Sequence, residues 1–228
     1  MQDFKQPRKL IKNNFLNKIN NSKQSYIIYK TIKGFNLYTD FSSKIILNNK
    51  NIDKFLSKKF KYNKNYKNTD LFIGFFGYEI LNNLIKVKLP KQKNINFPKG
   101  IFYKPEKKIT LKEDLIYYPN KSNKVNKNFK ININKKSYTK IFNKFIKKIR
   151  AGETYQIKIC TKYKNKSTIN SVNFFWKLMK INSSPESFMI RDKDYSIVSC
   201  SPETLIHRVG NLITTKPIAG TLKKNKYT

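Results

Sequence analysis

Two runs of alternating apolar residues, Leu205 to Val209 and Leu212 to Ile218, are separated by only Gly210 and Asn211. A two-residue, glycine-containing loop between such runs commits the chain to a β-hairpin, because glycine tolerates the left-handed backbone that a tight reversal requires. The segments before it alternate in type. Tyr138, Ile141, Phe142, Phe145, Ile146 and Ile149 recur at helical spacing, with Lys140, Lys144, Lys147 and Lys148 on the other face. Ser137 is the expected N-cap of that helix and Gly152 the left-handed residue that ends it. Thr154 to Tyr163 alternates as a strand, and Val172, Phe175, Trp176 and Met179 mark a second helix behind Ser171. Helix, strand, helix, strand and hairpin in this order predict an α+β fold with an antiparallel sheet.

The earlier part of the chain is punctuated differently. Ile52, Phe55, Leu56 and Phe60 sit at helical spacing behind Asn51. Leu71 to Glu79 reads as a buried strand running into a helix through Ile80, Leu81, Leu84 and Ile85, with Gly74 and Gly77 marking close backbone approach or a tight bend. From Pro90 onward, Pro98, Pro105 and Pro119 interrupt the pattern, and short strand-like pieces survive at Ile101–Tyr103 and Leu115–Tyr118. Residues 121 to 136 are rich in Lys and Asn and read as a linker. The expected division is therefore 1–136 and 137–228.

Composition decides between broad classes. A hydrophobic content of 39% with 14% aromatic residues is enough for a real core. The formal charge is +36, from 49 Lys and Arg against 13 Asp and Glu, yet only Arg8, Arg150, Arg191 and Arg208 are arginines. A nucleic-acid-binding protein would gather its cations on one face and use Arg for bidentate contacts. Here Lys is scattered from Lys5 to Lys226 among Asn and Ile, the residues that A- and T-rich codons supply. The basic nucleic-acid-binding class is kept as the alternative reading and no specific nucleic acid is expected. Cys160 and Cys200 are too few for a disulfide framework, no signal peptide opens the chain, and no apolar run approaches the ~20 residues of a membrane span. A reduced, cytoplasmic setting is expected.

Three motifs carry chemistry through their order: Ile149-Arg150-Ala151-Gly152-Glu153-Thr154-Tyr155-Gln156, Ser201-Pro202-Glu203-Thr204-Leu205, and Thr215-Lys216-Pro217-Ile218-Ala219-Gly220-Thr221. Together, and with Gly74-Phe75-Phe76-Gly77-Tyr78-Glu79 as weaker support, they resemble the chorismate-utilising enzymes: anthranilate synthase component I, aminodeoxychorismate synthase component I, and their isochorismate and salicylate relatives. The resemblance covers the last 90 or so residues well and the rest loosely. It implies that the chain is an incomplete half of the large chorismate-binding α/β/β/α sandwich, truncated within that domain. The implied reaction is that of a lyase: chorismate is aminated and pyruvate eliminated, with Mg²⁺ as cofactor and ammonia from a glutamine amidotransferase subunit. The acidic metal ligands and the catalytic histidine would all follow Thr228, in the same chain or on a complementary one, so no catalytic or metal-binding residue is expected here.

Gly220 and Thr221 are the expected substrate-binding pair. Glycine lets a flat ring approach the backbone, and the Thr hydroxyl and N–H can bond a ligand oxygen, although a strand-ending turn would use the same residues. The resemblance places them against chorismate, with Ala219, Glu203 and Gln156 near the site. Relatives of the aminodeoxychorismate branch often carry a nucleophilic Lys where this chain has Ala219, which favours anthranilate synthase. Ser201-Pro202-Glu203 also has a purely local reading, a serine-capped turn. His207, the single histidine, falls inside a hairpin strand and reads as a strand residue rather than a base. Tryptophan-regulated relatives carry Asn-Pro-Ser-Pro-Tyr-Met where this chain has Asn182 to Ser187. Pro185, Glu186 and Ser187 thus occupy the effector positions without the Tyr-Met pair, which implies either lost feedback control or the aminodeoxychorismate branch.

Overall fold

The computed structural model describes residues 24–59, 71–85, 97–112 and 128–218. They fall into two compact units: one combines the chain up to Tyr118 with Ser171 onward, and the other comprises Pro119 to Asn170. This differs from the expected division at 136. The reason is a strand pairing: β1 (Tyr26–Thr31) lies antiparallel to β7 (Glu186–Arg191), with Ile27 opposite Ile190 and Ile28 opposite Met189. Neither β1 nor its neighbour β2 (Gly34–Ile46) is among the expected elements.

The larger unit is built on a six-stranded, wholly antiparallel sheet. Its remaining strands are β3 (Ile73–Phe76), β4 (Gly100–Lys112) and β8 (Ser196–Ser201), and the order is β3-β4-β2-β1-β7-β8. β4 runs through the middle of the stretch expected to be loose. Pro105 is accommodated where β2 bulges, its partner being Phe41, with the register shifting before Ser43. Gly74 behaves as its motif suggests: a Cβ there would stand 1.9 Å from the Ile101 carbonyl oxygen, so only glycine permits this approach of β3 to β4. A short 3₁₀ turn, Tyr78–Ile80, and the one-turn helix α2 (Leu81–Leu84) follow, as the sequence predicts. The first helix, α1 (Ile52–Leu56), buries Ile52 and Phe55; Phe60, Leu89 and Leu115–Tyr118 lie outside the described residues.

Both faces of the sheet are dry because successive side chains alternate. On one face Tyr26, Ile28, Phe35, Leu37, Leu111 and Met189 meet the apolar side of helix α4 (Ser171–Ile181), whose Val172, Phe175, Trp176 and Met179 are buried. Trp176 is 1% exposed, and its ring meets Phe35 edge-on at 4.9 Å. On the other face Ile27, Tyr38, Ile101, Tyr103 and Ile190 form a second cluster, and Leu47, Ile52, Phe55 and Ile80 a third at the sheet's end. The hairpin follows β8 as β9 (Thr204–Val209) and β10 (Leu212–Lys216), reversing at Gly210 with φ +59. Val209 faces Leu212 and His207 faces Thr214.

The smaller unit holds a two-stranded pairing, β5 (Lys130–Ile131) with β6 (Tyr163–Lys164), and helix α3 (Lys135–Arg150). The helix begins earlier than expected. Asn134, not Ser137, is the N-cap, its side chain accepting from the Ser137 N–H at 2.8 Å. Gly152 closes it at φ +75. The strand expected over Thr154 to Tyr163 is reduced to its last residue, since the preceding backbone has no partner strand among the described residues. No residue of α3 is buried within the described structure.

Candidate functional site

Where β1, β7 and β9 converge, the larger unit opens into two adjoining hollows. The smaller, of about 370 Å³, lies on the sheet face that carries Ile27, Phe188 and Ile190; Ile73 and Gly74 floor it, and Leu205 and Ile206 of the hairpin roof it. The larger, of about 780 Å³, opens toward the β1–β2 turn and is edged by Lys30, Lys33, Pro185, Pro202, His207 and Lys216. Three residues belong to both: Tyr29, Glu186 and Thr204.

These three form a single hydrogen-bonded group. Tyr29 Oη donates to Glu186 Oε2 at 2.5 Å, and Thr204 Oγ1 donates to Glu186 Oε1 at 2.5 Å. The alternation of β7 makes this possible: Glu186, Phe188 and Ile190 share one face while Ser187 and Met189 take the other. The hydrogen bonds from Thr204 and then Tyr29, aided by the Coulombic influence of His207 and Lys216, hold the Glu186 carboxyl below its ordinary range against the cost of its partial burial. The Tyr29 phenol is pushed well above its ordinary value by burial and by the adjoining carboxylate. A carboxylate with each oxygen engaged by a hydroxyl acts as a tether, and it is acceptor-only toward anything else. Nearby, Lys30 Nζ donates to the Ser183 carbonyl at 2.9 Å and to its hydroxyl at 2.6 Å, pinning the turn that precedes β7.

The expected site residues are distributed unevenly. Ala219, Gly220 and Thr221 lie outside the described residues, immediately after the last described position, Ile218. Glu203 lines the smaller hollow, half-buried, and the Ser201-Pro202-Glu203 segment forms the serine-capped turn of the local reading: the Glu203 N–H donates to Ser201 Oγ at 3.4 Å. No helical turn follows it; β9 begins at once. Pro185, Glu186 and His207 gather at the larger hollow. Ser187 does not join them, since it is fully buried on the opposite face, donating to the Ser184 carbonyl at 2.6 Å. Gln156 is exposed in the smaller unit, where its carbonyl accepts from Thr154 Oγ1 at 3.2 Å. His207 is an exposed strand residue, as its position in the hairpin predicts.

Sequence reasoning did not single out Tyr29, Lys30 or Thr204 as site residues. The run Tyr26-Ile27-Ile28-Tyr29 is a β signal that would have exposed the strand, although nothing in it reveals the partner 157 residues away. Among the described residues no group of three or more His, Cys, Asp or Glu side chains stands close enough to hold a metal ion. The described residues therefore do not supply a ligand set for the Mg²⁺ that the resemblance implies. No helix among them is long and apolar enough to cross a membrane.

A family model described as chorismate binding enzyme matches residues 12–228. The anthranilate synthase component I-like protein of Synechocystis is 27% identical over 180 residues, which is 68% of this chain and 37% of the relative. Anthranilate synthase component 1 of Saccharolobus solfataricus is 25% identical over 168 residues, 65% of this chain and 38% of the relative. Aminodeoxychorismate synthase component 1 of Bacillus subtilis is 28% identical over 78 residues, 34% of this chain and 17% of the relative. The chain thus spans well under half the length of these curated relatives.

Proposed function

Because the chain belongs to the chorismate-binding enzyme family, we propose that it is the part of an anthranilate synthase component I-like enzyme that carries one wall of the chorismate site. The α+β fold with its antiparallel sheet agrees with part of a chorismate-binding domain. In this reading the whole enzyme combines chorismate with ammonia to give anthranilate, pyruvate and water, as a step toward tryptophan, and a glutamine amidotransferase subunit delivers the ammonia. The observation that carries the reading is the family match across residues 12–228 together with relatives named for anthranilate synthase.

Each residue has a definite task. The β9–β10 hairpin leads the chain into Ala219-Gly220-Thr221, where Gly220 leaves room for the ring and Thr221 offers its hydroxyl and N–H to a chorismate oxygen. Ala219 has no amine, so the attacking nitrogen comes from ammonia and not from a side chain. Glu203 is assigned near the substrate as a polar neighbour. Mg²⁺ belongs to the proposal as a cofactor, held by residues other than the described ones, and no step is routed through it. A polypeptide equivalent to the remaining length of the relatives completes the domain.

One specific observation favours a second reading, aminodeoxychorismate synthase: Glu186 and Ser187 stand where tryptophan-regulated relatives carry Tyr and Met, and a relative of that branch is found. The two products separate the readings, since only the anthranilate reaction releases pyruvate. With chorismate, Mg²⁺ and ammonium, the 228 residues alone are expected to release neither anthranilate fluorescence nor pyruvate above the uncatalysed rate. Once supplemented with the remaining part of a component I relative, they are expected to release both. An amino product formed without pyruvate would move the assignment to the aminodeoxychorismate branch. Turnover by the chain alone would overturn the placing of the catalytic groups outside it.

A further inference from the structure

We propose that Glu186 is a positioning residue, a carboxylate clasp that fixes the β9–β10 hairpin to the six-stranded sheet and thereby sets the edge that the hairpin gives to both hollows. Among the described residues the hairpin shares no backbone ladder with that sheet; it pairs only with itself. Its large apolar side chains do little to hold it, since Leu205, Ile206, Val209, Leu212 and Ile213 are all more than 60% exposed. Among the described residues, the hydrogen bond that crosses from hairpin to sheet is Thr204 Oγ1 to Glu186 Oε1. Glu186 is itself anchored from the other side by Tyr29 of β1. The geometry reaches the exit of the hairpin in one step, because Thr204 is the cross-strand partner of Lys216, the last residue of β10. A shift of Thr204 therefore displaces Lys216, three residues ahead of Ala219. The register irregularity between Thr214 and Lys216 falls at this same end, where the ladder alone constrains least.

The charge environment supports a tether over a free base. Tyr29 faces Glu186 from β1, His207 from β9 and Lys216 from β10, while Lys30 is held by Ser183. An ionised carboxylate accepting two hydroxyl hydrogen bonds among cations is held in one orientation.

The functional consequence rests on the chorismate reading, whereas the clasp itself does not, and two measurements on the full chain keep them apart. The first is local stability, read by amide hydrogen exchange over residues 204–216 and by the rate of tryptic cleavage after the exposed Arg208. Glu186→Ala and Thr204→Val are each expected to speed both by about tenfold, the scale of one charge-assisted hydrogen bond. Thr204→Ser is expected to return them to within about twofold, since it keeps the hydroxyl. Exchange in helix α4, which packs on the opposite face of the sheet, is expected to stay unchanged. Hairpin exchange unaltered in Glu186→Ala, or acceleration spread equally over α4, overturns the clasp. The second measurement is chorismate affinity by equilibrium dialysis on the chain supplemented with the remaining part of a component I relative, expected to weaken in Thr204→Val and recover in Thr204→Ser. Affinity unchanged while the hairpin loosens overturns the positioning role. If the supplemented, unaltered chain binds no chorismate, the functional reading fails, and the exchange data still decide the clasp.

Discussion

Asp192 shows at the scale of one residue how the sheet's far end is secured. It is 6% exposed, pairs with Lys44 of β2, and accepts from Ser25 Oγ at 2.9 Å and the Lys193 N–H at 2.8 Å. Burial alone would raise its pKa, but these partners, with Tyr103 beside it, hold the carboxyl far below the ordinary range. A folded pKa below the unfolded one stabilises the fold above the unfolded value, and that contribution drains away as pH falls through the folded value. Urea midpoints measured from pH 7 to pH 2 are therefore expected to drop below about pH 4 in the native chain and to flatten in Asp192→Asn. At pH 7 the same substitution is expected to cost about 2 kcal/mol, less than a fully dry pair because the Lys44 side chain is 39% exposed. Residues of this kind were not legible in the sequence. Asp192 is one carboxylate in a loop, and Ser25, just before β1, and Lys44, in β2, reach it from a part of the sheet whose two strands were not anticipated. Gly74 and Trp176 were legible, the first by its motif and the second by helical spacing, because their reasons are local.

Elements were read best where period and punctuation agreed. Helix α4 and the hairpin match their predicted spans within a residue or two, since an apolar period bounded by Ser171 or by Gly210-Asn211 leaves little choice. The strand over Thr154 to Tyr163 was misjudged for the opposite reason: alternation marks what a segment would do beside a partner, and here it has none among the described residues. The α3 cap makes a measurable distinction. Asn134→Ala is expected to cost about 1 kcal/mol of helix stability and Ser137→Ala only a few tenths, by circular dichroism on thermal melting. Equal losses would return the cap to Ser137. The candidate site was legible only in outline. Glu186 was marked as a departure from the relatives' pattern, but its service as a tether depends on Tyr29 and Thr204, which approach it from other strands.

Taken whole, the sequence carries +36 charges spread along its length; among the described residues Lys appears on the sheet, the turns and α3 alike. Binding to polyanions is therefore expected to act through counterion release, falling about a thousandfold or more between 50 and 200 mM salt and showing little preference among duplex sequences. Strong preference for one sequence that survives moderate salt would revive the nucleic-acid-binding class. The pairing of β1 with β7 has a further consequence for how such a chain is made. Four strands, β1 to β4, leave the ribosome before α4, β7 and β8 are synthesised. At translation rates of about 5–20 residues per second, the greasy side of that first sheet, with Tyr26, Phe35 and Leu37, stays uncovered for several seconds until Phe175 and Trp176 arrive. In that interval the nascent four-stranded sheet presents an uncovered apolar face that is prone to aggregate, a hazard that follows from the strand order.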